Sequence, residues 1–128
     1  MPLIPEIIFD RNTSIRFLAR KEQLRQARLD DRFRRASDDF SAIVSMTIRD
    51  YAPLRIWQWG SLLDRSRFSE ISDIDIAVEG ILGEERFFAL WGAADRMTDF
   101  SLDLVQLEKI HPLHAQTIRE RGRLVYER

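Results

Sequence analysis

Apolar and polar positions run along this chain in two rhythms, and the change from one to the other marks its organisation. Between residues 29 and 51 the apolar stripe Leu29, Phe33, Ala36, Phe40, Ile43, Thr47 recurs at intervals of four and three, with Val44, Ile48 and Tyr51 beside it. That is the period of an α-helix burying one face. Helix is predicted over residues 13 to 29 and 30 to 51, continuous or broken at Asp30-Asp31, and packed on a sheet. Pro53 ends it, because a proline pushes the residue before it out of helical conformation.

Beyond residue 53 the rhythm shortens. Leu54-Arg55-Ile56-Trp57-Gln58-Trp59 is β-prone and stops at Gly60; Ile74-Asp75-Ile76-Ala77-Val78 and Phe100-Ser101-Leu102-Asp103-Leu104-Val105 read as two further strands. Between them, Glu84 to Met97 sets Phe87, Phe88, Leu90, Trp91 and Ala94 at helical spacing. A last helix should begin at Pro112, where the missing N–H costs nothing, run to Arg121 and stop at Gly122. The chain thus divides into an N-terminal helical arm, residues 1 to 52, packed on a core, residues 53 to 128, in one compact domain.

Chemistry gathers in the strands. Successive strand side chains point to opposite faces, so Asp73 and Asp75 share one face and Ile74 and Ile76 the other. At about 3.3 Å per residue the two aspartate Cα atoms stand about 6 to 7 Å apart, close enough for both carboxylates to reach divalent ions such as Mg²⁺. Gly60 permits a tight turn and close backbone approach, and Ser61 adds a hydroxyl and an amide suited to phosphate oxygens. Ser61 can also cap the helix expected after it. Asp103, between Leu102 and Leu104, joins the pair if its strand is a neighbour.

Gly60-Ser61, a spacer, Asp73-Ile74-Asp75 and a later Leu102-Asp103-Leu104-Val105 arrive in the order typical of a known family. Over residues 54 to about 127 the chain resembles the minimal nucleotidyltransferases (MNT) of the DNA polymerase β superfamily. The resemblance implies an α/β (α+β) fold, a small mixed sheet flanked by helices. It implies an enzyme that binds ATP with Mg²⁺ and transfers a nucleoside monophosphate to a hydroxyl. Asp73, Asp75 and Asp103 would be the catalytic and metal-binding residues, and Gly60, Ser61 and Arg65 or Arg67 would bind the nucleotide. Many prokaryotic members are antitoxins that adenylylate (AMPylate) a tyrosine of a HEPN-family ribonuclease toxin, so a toxin partner is implied as well.

Two departures stand out. The spacer between Ser61 and Asp73 is eleven residues, one longer than is usual in the antitoxin branch, and Leu62-Leu63-Asp64-Arg65-Ser66 replaces the basic residue and glycine that many relatives carry there. They leave two alternatives open: an inactive nucleotidyltransferase-fold module that neutralises a partner by binding alone, and a transferase acting on a small molecule. His111 and His114 read as helix-start and surface residues rather than metal ligands. Tyr126 reads as a packing residue, with self-adenylylation the alternative.

Composition narrows the class. The 128 residues are 45% apolar and 32% charged, with a net charge of −1 and no cysteine, which suits a cytoplasmic enzyme and excludes disulfides and thiolate metal sites. Met1-Pro2-Leu3-Ile4-Pro5-Glu6 does not read as a signal peptide, and no apolar run is long enough to span a membrane. The near-neutral total conceals an asymmetry: residues 11 to 35 hold nine Lys or Arg against three acids, a net +6, so the remainder carries −7. With these cations spread around the helix and no aromatic platform among them, direct nucleic-acid binding is not expected. Docking on an acidic patch of a partner, or of the chain's own core, suits the arm better.

Overall fold

A computed structural model describes residues 11–128; the Met1–Glu6 segment lies outside them. Helix α1 (Arg11–Tyr51) runs unbroken for 41 residues. It passes through Asp30-Asp31 because both side chains are engaged away from the backbone they would otherwise cap. Asp31 accepts from Arg34 at 2.6 Å and Arg35 at 3.1 Å, one helical turn on, and Asp30 accepts from Arg65 at 2.6 Å. The helix ends at Ala52, which takes a positive φ of 45° just before Pro53.

Strands β1 (Arg55–Trp59), β2 (Ile74–Glu79), β3 (Leu102–Gln106) and β4 (Arg123–Glu127) form one mixed sheet in the order β3-β2-β1-β4. β2 runs parallel to β3 and antiparallel to β1, and β4 closes the other edge antiparallel to β1. Helices α2 (Glu84–Asp95) and α3 (Pro112–Arg121) complete the fold.

β2 is buried along its whole length, so its two faces meet different layers. Ile74, Ile76 and Val78 join Ile43, Phe40 and Leu90 in the main core, formed with α1 and α2. Ala77, from the opposite face, packs with Leu107, Ala115 and Ile118 under α3. Helices therefore cover both faces, and Asp75, in step with Ala77, lies on the α3 side. Among the described residues no helix is long and apolar enough to cross a membrane.

Candidate active site

The first strand ends at Trp59 directly opposite Asp75, and Asp75 lies beside Asp103 in the parallel register. The chain turns away at Gly60, whose φ of 80° and ψ of −164° suit glycine alone. A Cβ there would stand 2.8 Å from the Asp75 Cγ and closer still to Oδ2. The Asp75 carboxylate therefore occupies the space that any other side chain at position 60 would fill. Asp73 sits one residue ahead of β2 rather than within it, and Asp73 and Asp103 are exposed while Asp75 is buried.

Burial pushes the Asp75 carboxyl up to about 7, helped by the negative charges of Asp103 and then Asp73. Glu79, four residues along the same face, is a control built into the same strand. Burial raises its pKa too, but hydrogen bonds from Trp57 Nε1 at 3.0 Å, Arg55 at 3.0 Å and Arg119 at 3.2 Å outweigh it, and the net shift is downward. The charges that raise the Asp75 pKa are instead those of two acids, Asp103 and Asp73. Three carboxylates in this order offer the oxygen donors that suit a hard divalent metal. As the side chains stand, no three acids or histidines among the described residues are gathered tightly enough to hold one.

After Gly60 the chain makes two 3-10 turns, Ser61–Leu63 and Arg65–Arg67, in place of the helix expected there. Ser61 correspondingly makes no side-chain cap. Asp64 caps the second turn, accepting from the Ser66 amide at 2.9 Å and hydroxyl at 2.7 Å, bonds that hold its carboxyl below the usual range. The two arginines diverge. Arg65 turns to α1, donating to Asp30 and to Gln26, whereas Arg67 lines a cavity of about 320 Å³ next to Gly60.

That cavity was not foreseen. It lies between the end of β1 and α3, lined by Trp59, Gly60, Arg67, His114, Thr117 and Arg121 among others, and no acidic residue lines it. His114 stands edge-on to Trp59 at 5.3 Å; His111 instead caps α3, its Nδ1 accepting from the Leu113 amide at 3.1 Å. The spacing of His114, Thr117 and Arg121 puts them on one face of α3, a signal present in the sequence once the helix is known to flank Gly60. Tyr126 is paired with Ile56 and packed against the main core.

The arrangement of strands and helices matches solved structures of toxin–antitoxin proteins. One is a mutant of the toxin–antitoxin MntA–HpeT, 24% identical, with a TM-score of 0.55 over 70% of this chain and 73% of that one. Another is a toxin–antitoxin with AMP-PNP, also 24% identical with a TM-score of 0.55, over 68% and 73%. The chain thus shares its fold with a chain of these toxin–antitoxin structures. No family model matches the sequence, and no curated protein matches it.

Proposed function

We infer that this chain is an antitoxin nucleotidyltransferase that moves AMP from ATP to a hydroxyl, a tyrosine of a HEPN-family toxin, in the cytoplasm. The observation that carries the reading is Asp75: buried against Gly60, in register with Asp103, and pressed by the negative charges of Asp103 and Asp73. Asp73, Asp75 and Asp103 would hold Mg²⁺, which supplies charge neutralisation at the α-phosphoryl group when bound. Asp103, exposed beside Asp75, would receive the proton of the attacking hydroxyl. The Gly60 turn and Ser61 would hold the β- and γ-phosphates, and Arg67 and Arg121, which line the adjoining cavity, would add positive charge. The likeness to a toxin–antitoxin solved with AMP-PNP, a triphosphate, supports a nucleotide as the ligand.

A second reading is favoured by a specific observation: the three carboxylates are not gathered into a ligand set, and Arg65 is committed to α1. A binding module that silences its partner by complex formation needs neither feature. The two separate on one experiment, in which the protein encoded beside this chain is co-expressed with wild type or with the Asp73→Asn/Asp75→Asn variant and weighed by intact mass spectrometry. Transfer predicts a gain of one or more AMP units with wild type only. An unmodified neighbour that co-purifies with both forms establishes the binding module.

A further inference from the structure

Helix α1 is longer than the core beneath it. Arg25, 3.7 Å from Glu70, and Gln26, bonded to Arg65, tie it to the loop that follows the first strand. The preceding residues 11–24 extend about 20 Å further at 1.5 Å per residue. Throughout residues 11–28 every side chain is exposed except Ser14, which is half-buried.

The face that is buried further along bears two apolar side chains in the overhang, with Glu22 and Arg25 between them and Leu29. Leu18, Leu29 and Phe40 are spaced by eleven residues, about three helical turns, so they share one face. Leu29 is 3% exposed and Phe40 7%, whereas Leu18 is 62% exposed and Ile15, almost in line with them, 58%. Where the overhang leaves the core, Ile71 stands 88% exposed beside the Arg25–Glu70 contact and two residues before Asp73. Apolar side chains are thus exposed both on the arm and on the loop that leads into Asp73. Residues 11–28 hold six Lys or Arg and one acid, and the first turn of the helix has no acid to complement its dipole.

We propose that the arm and this loop dock an acidic protein partner, which seats apolar side chains against Leu18, Ile15 and Ile71 and presents its acceptor hydroxyl to the carboxylates that follow the loop. Charge selects the occupant: a second copy laid arm against arm would oppose two basic helices, while an acidic surface is drawn to the +5 segment before contact. The apolar side chains then supply the close-range contact. The proposal rests on the nucleotidyl-transfer reading only for what the docked partner presents. Docking itself is independent of it.

The test uses the full chain, the Ile15→Glu/Leu18→Glu variant and the Ile71→Glu variant, all changed at exposed positions, with the purified protein encoded beside the chain as the probe. Binding to immobilised probe should weaken at least tenfold in both variants and fall with added salt in wild type. ATP binding by each variant alone should match wild type. Unchanged binding in the variants overturns the proposal, as does a wild-type chain that does not bind the probe. A concentration-dependent dimer abolished by Leu18→Glu would give the surface to a second copy, and arm-dependent binding to anionic vesicles or duplex DNA alone would give it to those; either overturns it. If docking depends on the arm but no AMP is ever transferred, the surface stands and the catalytic reading fails.

Discussion

Asp75 and Glu79 differ by one methylene, share a strand and a face, and end with opposite ionisation tendencies because donors reach only one of them. Asp75 has a folded pKa of about 7 against about 3.9 unfolded. Between those values the folded state holds a proton that the unfolded state has lost, so stability falls as pH rises from 4 to 7 and stays low above. The difference amounts to about 4 kcal/mol. Asp75→Asn should therefore flatten this part of the pH profile and make the protein more stable than wild type at pH 8 in chelator. Urea unfolding at pH 5 and pH 8 measures it. A variant less stable than wild type at pH 8 would make Asp75 a structural residue.

At the scale of elements, α1 offers a comparison between identical side chains on one face. Leu29→Ala should cost about 2–4 kcal/mol, as deletion from a packed core does, while Leu18→Ala should stay within about 0.5 kcal/mol. Equal losses in denaturant unfolding would mean that the overhang is covered within the chain. The 3-10 turns after Gly60 separate two arginines in the same way. Arg65→Ala removes an exposed ion pair worth about 1 kcal/mol or less and should leave ATP binding unchanged, whereas Arg67→Ala should weaken it about tenfold by calorimetry.

These elements also show what local pattern conveys. Three strands, the helix leading to β3 and the proline-started α3 lie within about two residues of where their periodicity puts them. The continuity of α1 turned on Asp30 bonding to Arg65, 35 residues away, which no local signal conveys. For the same reason Gly60, Ser61 and the aspartates were legible by type and order. The register of Asp75 with Asp103, the opposite turns of Arg65 and Arg67, and the cavity under α3 belong to tertiary pairing.

Across the whole molecule, charge is partitioned: a basic helix overhangs a core whose acids include the candidate metal ligands. If Asp75 is one of them, protons and Mg²⁺ compete for it. Stabilisation by Mg²⁺ should be larger at pH 8.5 than at pH 5.5, approaching about 2.7 kcal/mol at one hundred times the dissociation constant. Melting temperatures with and without Mg²⁺ at the two pH values measure it. Equal shifts would place the metal elsewhere.

The position of Trp59 has an optical consequence. Trp57 is tied to Glu79 by its indole N–H, and Trp91 lies exposed on α2. Trp59 alone of the three lines the cavity beside Gly60, edge-on to an imidazole at 5.3 Å. A nucleotide entering there would change the polarity around that indole, so the native fluorescence of the unlabelled protein should report filling of the site in real time.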